Sequence, residues 1–135
     1  MRTIVLVKII ADTNTFIAVA LNEPEKGKII GLTEGHELIA PDVLPFEIGN
    51  ALTAMMKKNT LKKEEVESAW DIIQQIPVEL RQTNIRYALC IAIKYNLSAY
   101  DAYFLECAQY HRCPLLTLDV GMRKVAHKMG IRILE

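Results

Sequence analysis

Residues 3–21 have the sequence TIVLVKIIADTNTFIAVAL, and this stretch decides the fold class. Its first part, residues 3–11, is rich in β-branched residues and almost continuously apolar, which is typical of a strand buried on both faces of a parallel sheet. Asp12 ends the apolar run and can cap the helix that the following residues predict. The stretch therefore indicates a central strand that passes directly into a helix.

The rest of the chain continues this alternation of strands and helices. Further strands are predicted at residues 37–40, 78–80, 114–118 and 131–134, and further helices at residues 42–58, 62–75, 84–95, 98–110 and 119–129. Asp42 is expected to cap the first of these helices, and Pro45 is compatible with its first turn. The alternation predicts an α/β fold, a three-layer α/β/α sandwich on a mostly parallel, five-stranded sheet.

Size and composition indicate a globular protein. The 135 residues fit a single domain, residues 1–135, and 51% of them are hydrophobic. No apolar stretch approaches the roughly 20 residues of a membrane-spanning helix, and the N-terminus does not resemble a signal peptide. We therefore expect a cytoplasmic protein that does not associate with a membrane. The three cysteines lack metal-ligand spacing and predict reduced, mostly buried thiols.

Two aspartates follow predicted strands directly. Asp12 comes after the first strand, and Asp119 comes after the strand at residues 114–118. Ligands of open parallel sheets bind beyond the carboxyl ends of the strands, so both positions are candidates for a functional site. Each aspartate also has a structural explanation, because aspartate is a favoured N-cap of the helix that follows.

Two further acids project from predicted helices. Asp101 lies on the apolar stripe of its helix, although Ser98 and Asp101 also match a capping box. Burying this charge without a partner would cost on the order of several kcal/mol, so a nearby cation is the alternative explanation. Glu47 lies at the edge of another apolar stripe, where a solvated glutamate is the competing interpretation.

The four acids are expected to converge, because caps of unrelated helices have no reason to share one location. Carboxylate oxygens suit Mg²⁺ or Mn²⁺, and the sequence has no cluster of histidine and cysteine that would favour zinc. The pattern therefore predicts a carboxylate-lined site for Mg²⁺ or Mn²⁺.

Four segments carry a resemblance to a known family: IIADTNTFIAVAL at 9–21, APDVLPFEIGNAL at 40–52, LSAYDAYFLECA at 97–108 and CPLLTLDVGMRKVAHKMGIRIL at 113–134. In this order and spacing they resemble the PIN-domain ribonucleases, particularly the VapC-type toxins of prokaryotic toxin–antitoxin pairs. The resemblance assigns the metal-binding and catalytic quartet to Asp12, Glu47, Asp101 and Asp119. It places Asn14 and Thr117 at the supporting polar positions.

The resemblance also implies an RNA substrate, a small VapB-like antitoxin partner and a homodimer. The balance of 16 basic and 16 acidic residues departs from this pattern, because many relatives are more basic. A PIN-like module that binds RNA or protein without cleavage is the alternative function. A receiver domain does not fit, since no aspartate follows the strand at 78–80, and a haloacid-dehalogenase-type phosphatase would need a second acid where the chain has Asn14.

Two groups of side chains are candidates for contacts with partners. RNA is expected to follow basic residues that border the acidic site, and the candidates are Lys57, Lys58, Arg86, Arg112, Arg123 and Lys124. Trp70, Met55 and Met56 are expected either to pack in the core or to form an apolar groove for another chain.

Overall fold

The computed structural model describes residues 7–135, and the elements below belong to that range. The strands are Lys8–Ala11 (β1), Glu37–Pro41 (β2), Glu79–Arg81 (β3) and Leu115–Leu116 (β4). The helices are Thr13–Ala20 (α1), Lys26–Thr33 (α2), Leu44–Lys57 (α3), Lys63–Gln74 (α4), Ile85–Tyr95 (α5), Ala99–His111 (α6) and Val120–Lys128 (α7). The strands form a parallel sheet of order β3-β2-β1-β4, so β1 is central as predicted.

Helices cover both faces of the sheet. Ile10 pairs in register with Ile39 and Leu115, so these side chains share one face, and they pack in the main core together with α6. Ile9 and Leu116 point to the opposite face, where they pack against α1 and α2. This arrangement confirms the three-layer α/β/α architecture.

The sheet differs from the prediction in its number of strands. Residues 131–134 do not form a fifth strand, since they meet the sheet through one bridge between Leu115 and Ile133. Two hydrogen bonds hold this bridge, from the Leu115 N–H to the Arg132 carbonyl and from the Leu134 N–H to the Leu115 carbonyl. Because β4 has two residues, it offers too short an edge for a longer ladder. Residues 3–6 of the first predicted strand lie outside the described range.

Two local predictions were wrong. No element was predicted between residues 22 and 36, where the structure has helix α2; apolar periodicity did not reveal this helix because Ile29 is its buried residue. Asp42 does not cap α3, since its carboxylate accepts a hydrogen bond from the Thr83 hydroxyl at 2.7 Å instead. The helix begins at Leu44, and Pro45 lies in its first turn as expected.

Several side chains have the burial that the sequence predicts. Trp70 and Met55 pack against the main core, which supports core packing over an exposed groove, whereas Met56 is exposed. The cysteines are free thiols; Cys107 and Cys113 are buried and Cys90 is exposed. Within residues 7–135, the structure has no helix long and apolar enough to cross a membrane.

Candidate functional site

The four predicted acids line one cavity beyond the carboxyl ends of β1 and β4. Its volume is about 40 Å³, which is enough for a few water molecules. The residues that line it are Asp12, Thr13, Asn14, Glu47, Tyr100, Asp101, Phe104, Asp119 and Met122. The fold therefore brings together side chains that are up to 107 positions apart in the sequence, from Asp12 to Asp119.

Asp12 is the most deeply buried of the four acids, with 4% of its surface exposed. One carboxylate oxygen, Oδ1, accepts a hydrogen bond from the Thr15 N–H at 3.2 Å and caps α1. The other, Oδ2, accepts a hydrogen bond from the Thr117 hydroxyl. Burial raises the pKa of Asp12 to about 6; the hydrogen bonds from Thr117 and Thr15 lower it, and the charges of Asp101 and Asp119 raise it.

Asp119 caps the helix that leaves β4. Its Oδ1 accepts hydrogen bonds from the Gly121 N–H at 2.8 Å and the Met122 N–H at 3.2 Å. The backbone N–H of Asp119 donates to the Thr117 hydroxyl oxygen at 3.0 Å. Thr117, which is 1% exposed, thus connects Asp12 and Asp119 through one hydroxyl group.

Asp101 lies in the first turn of α6, where the Ser98 hydroxyl caps the helix by accepting from the Asp101 N–H at 3.2 Å. The side chain is nevertheless half-buried and reaches the cavity. Burial raises the pKa of Asp101, the charge of Asp119 raises it further, and the hydrogen bond with Ser98 lowers it. Asp101 therefore takes part in the helix cap through its backbone N–H, while its carboxylate lines the cavity.

Glu47 projects from the first turn of α3. Its Oε2 atom is buried and has no hydrogen-bond partner among residues 7–135. Burial raises the pKa of Glu47, the charge of Asp101 raises it further, and a hydrogen bond from the Asn50 side chain lowers it. An unsatisfied buried carboxylate oxygen is costly, so this atom is suited to a ligand that supplies positive charge or a proton.

The cavity is lined by negatively charged side chains and by no positively charged one among the described residues. The atoms available to a metal ion are carboxylate and hydroxyl oxygens, which are the ligands that Mg²⁺ and Mn²⁺ prefer. Within residues 7–135, however, no three acidic, histidine or cysteine side chains lie close enough together to enclose one cation. The fit to a divalent cation thus rests on donor chemistry and charge rather than on a preformed coordination shell.

Some lining residues were not anticipated from the sequence. Thr13 has a buried hydroxyl without a hydrogen-bond partner in the described part of the chain, and its position between Asp12 and Asn14 is the signal that could have identified it. Asn14 is exposed and also lines the cavity, and its supporting role stays a prediction. Tyr100, Phe104 and Met122 form apolar walls and lie one or three positions from a site acid.

The predicted basic residues divide into a near group and a far group. Arg123 lies beside the site, since its Nε donates to the Thr117 carbonyl at 3.1 Å, and Lys124 follows it on α7. Lys57 and Lys58 end α3, about 15 Å along the helix from Glu47.

Arg112 and Arg86 also belong to the far group. Arg112 ends α6, about 16 Å along the helix from Asp101. Arg86 lies next to Tyr87, whose hydroxyl bonds to Gln109 near that same end of α6. Lys57, Lys58 and Arg112 therefore do not border the acids, because their helices carry them away from the cavity, and Arg86 at the start of α5 does not line it. The contribution of these residues to RNA binding stays a prediction.

Comparisons with known proteins show the family and the fold. Residues 9–128 match the PIN domain family. The chain is 24% identical over 126 residues to the protein named Ribonuclease VapC3 from Pyrobaculum aerophilum, covering 90% of this chain and 94% of that one.

Solved structures share the fold at low sequence identity. PAE2754 from Pyrobaculum aerophilum matches with a TM-score of 0.66 and 19% identity, over 90% of this chain and 87% of that one. VapBC2 from Rickettsia felis, bound to a DNA fragment from its promoter, matches with a TM-score of 0.66 and 14% identity, over 96% and 98% of the two chains. A toxin–antitoxin complex from Klebsiella pneumoniae matches with a TM-score of 0.55 and 17% identity, over 82% and 86%. Since the family match extends over most of its length, the chain belongs to the PIN domain family.

Proposed function

We propose that this protein is a Mg²⁺- or Mn²⁺-dependent endoribonuclease and the toxin of a type II toxin–antitoxin pair. The observation that carries the proposal is the cavity itself, which four carboxylates line without a basic side chain from the described residues. Its relatives support the choice of activity, since one is named a ribonuclease and others were solved as toxin–antitoxin complexes.

Asp12 and Asp101 are the residues that would hold the cation directly, with Asp119 available for a second position. A bound Mg²⁺ or Mn²⁺ supplies Lewis-acid stabilisation of the scissile phosphate and lowers the pKa of a water molecule. The Asp12 carboxylate is oriented for this role by two hydrogen bonds, from the Thr15 N–H and the Thr117 hydroxyl. Thr117 accepts from the Asp119 N–H at the same time, so the two aspartates keep a fixed relation to each other.

Glu47 is suited to hold and move a proton. Its Oε2 is buried without a partner in the described range, and its pKa is raised above the usual value. A carboxylate with these properties takes a proton from an attacking water more readily than a solvated glutamate does.

RNA, an antitoxin and a second copy of the chain complete the proposal. Arg123 donates to the Thr117 carbonyl beside the acidic cavity, and Arg123 and the following Lys124 are the candidates for neutralising backbone phosphates near the cleavage point. The toxin–antitoxin relatives favour a small VapB-like protein as the partner. The family resemblance favours a homodimer, which sedimentation equilibrium tests directly.

Asp101→Asn is the variant that tests the activity. We expect loss of Mn²⁺-dependent cleavage of single-stranded RNA while the circular dichroism spectrum stays unchanged, because the substitution keeps the shape of a half-buried side chain. The matched control is Asp71→Asn, which changes an exposed aspartate on α4. Full cleavage by the Asp101→Asn protein would refute the proposal.

A calorimetric titration with Mn²⁺ separates cleavage from binding alone. Metal binding that disappears in the Asp101→Asn variant, together with RNA cleavage by the wild type, is the expected result. Metal or RNA binding by the wild type without any cleavage would contradict the nuclease and favour a PIN-like binding module.

A further inference from the structure

A second cavity lies outside the acidic site and shares no lining residue with it. Its volume is about 630 Å³, and it opens at the carboxyl end of the edge strand β3, beside the second half of α6. Its lining includes Arg81, Thr83, Asn84, Glu106, Tyr110 and His111. An arginine, a glutamate and an aromatic ring thus line one space that is large enough for a nucleobase.

Glu106 is an acid that the fold keeps in an unusual place. It is 4% exposed on α6, between buried neighbours, and it lines the second cavity. Among residues 7–135, Glu106 forms no ion pair, and the nearby Arg81 pairs with Glu79 instead. Burial raises its pKa, and a hydrogen bond from the Asn84 backbone N–H lowers it. A buried carboxylate of this kind retains the capacity to accept hydrogen bonds from a ligand.

Arg81 supplies a donor on the same cavity. One of its terminal nitrogens is 3.1 Å from the Glu79 Oε1 atom, which fixes the guanidinium at the edge of the sheet. Its Nε atom is buried and has no hydrogen-bond partner within the described range. An unsatisfied buried donor and a buried acceptor that do not pair with each other favour a ligand with both kinds of group.

The remaining wall is held rigidly and carries an aromatic ring. The Thr83 hydroxyl donates to Asp42 at 2.7 Å, and the Asn84 side chain accepts from the Tyr87 N–H at 3.0 Å, so the loop before α5 is fixed at both residues. Tyr110 is 74% exposed and lies edge-on to His111, with ring centroids 4.9 Å apart. An exposed ring beside hydrogen-bonding groups is the arrangement by which proteins hold unstacked RNA bases.

We propose that the second cavity binds one unstacked guanine base of the RNA substrate. Guanine presents its N1–H and N2 amino donors side by side, so one carboxylate such as Glu106 accepts from both. Its O6 and N7 acceptors suit an arginine such as Arg81. Adenine, cytosine and uracil lack two adjacent donors on one edge, and Tyr110 provides the stacking surface that any base can use.

The second cavity and the acids lie on different sides of α6. Glu106 follows Asp101 on this helix by five positions, which is about 7.5 Å along the axis and about 140° around it. RNA with its scissile phosphate at the acids would therefore pass around α6 to bring another nucleotide to Glu106. The inference rests on the proposed function in one respect, namely that the ligand is the RNA substrate.

Fluorescence anisotropy in chelator-containing buffer tests the inference without cleavage. The probes are a labelled uridine hexamer, the same hexamer with one central guanosine, and the same hexamer with inosine, which lacks the N2 amino group. We expect the guanosine probe to bind about tenfold tighter than the uridine probe, the effect of hydrogen bonds to a charged group, and inosine to fall between them. Equal affinities for the three probes would overturn the inference.

Two variants assign the preference to the cavity. Glu106→Gln removes the charge and is expected to reduce the guanosine preference to about twofold or less, whereas Glu67→Gln, an exposed position on α4, leaves it unchanged. Tyr110→Ala changes an exposed side chain, so the fold is retained, and it should weaken all three probes by about tenfold. A guanosine preference that survives Glu106→Gln in a folded protein would refute the assignment.

The assay also distinguishes this inference from the proposed nuclease function. Mn²⁺-dependent cleavage by a wild type that binds the three probes equally would overturn the guanine site alone. A guanosine preference that depends on Glu106, in a protein that does not cleave RNA, would support the site and overturn the nuclease.

Discussion

Replacing Asp12 with asparagine is expected to stabilise the metal-free protein at neutral pH. Asp12 is 4% exposed, and burial is the main cause that raises its pKa from 3.8 to about 6. The pKa of Asp12 is higher in the folded state than in the unfolded state. The stability that protonated Asp12 contributes is therefore complete below about pH 3.8 and is lost as the pH rises through about 6. Keeping Asp12 ionised therefore costs the folded state roughly 3 kcal/mol at pH 7.5.

Asparagine removes this charge and keeps the shape of the side chain. Its amide oxygen replaces one carboxylate oxygen as an acceptor, but the Thr15 N–H and the Thr117 hydroxyl can no longer both donate to it as before. Reorganising one hydrogen bond costs about 1 kcal/mol. The net gain from Asp12→Asn is then about 2 kcal/mol at pH 7.5, and at pH 4 the gain is absent because the wild-type side chain is protonated in the folded state.

Urea unfolding at pH 4 and pH 7.5, in metal-free buffer and followed by circular dichroism, measures this difference. The other titrating groups are common to both proteins, so the free energy of unfolding is compared between wild type and variant at each pH. Asp71→Asn on the exposed face of α4 serves as the control and should show no pH-dependent difference. A stability difference for Asp12→Asn that is the same at both pH values would refute the reasoning.

Three further predictions concern the groups around Asp12. Thr117→Val removes the hydroxyl that donates to Asp12, and it should lower the free energy of unfolding by about 2 kcal/mol at pH 7.5 and by less at pH 4, as urea titrations would measure. Asp119→Ala removes the cap of α7 and should cost about 1 kcal/mol in the same titrations, whereas Asp119→Asn should cost less; equal losses would contradict a capping role. Lys124→Gln on α7 should reduce the slope of log affinity for RNA against log salt concentration by about 1, and Lys58→Gln at the far end of α3 should not; equal slopes for the two variants would contradict an RNA path along α7.

The core of the fold could be predicted because local sequence and tertiary structure agree there. The apolar run that includes Ile9 and Ile10 is buried on both faces of the sheet, and a central parallel strand needs that pattern. Helix α2 could not be predicted in the same way, because it buries Ile29 while lysine and glycine occupy much of the rest. Periodicity reports how much of a helix packs against the core, so a helix with little buried surface leaves a weak signal.

The candidate site was predictable where a residue has a local reason for its position. Asp12 and Asp119 follow strands, and Asp101 lies on an apolar stripe, so each is marked by its immediate sequence. Glu106 has no such mark, since an acid within LECA is indistinguishable from an exposed helix residue until α5 and the loop before it are placed. The positions of the basic residues also depend on where each helix ends, which spacing in the sequence does not give.

Capping and ligand binding, which the sequence presents as alternatives for Asp12 and Asp119, are compatible in the structure. A carboxylate has about four acceptor positions, and the cap of α7 engages Oδ1 of Asp119. The amino end of α1 carries partial positive charge, which favours the ionised form of Asp12. This contribution opposes the burial and mutual repulsion that raise the pKa of Asp12. The capping bonds therefore hold two carboxylates at the cavity in defined orientations, which is the property that a site for a hard cation requires.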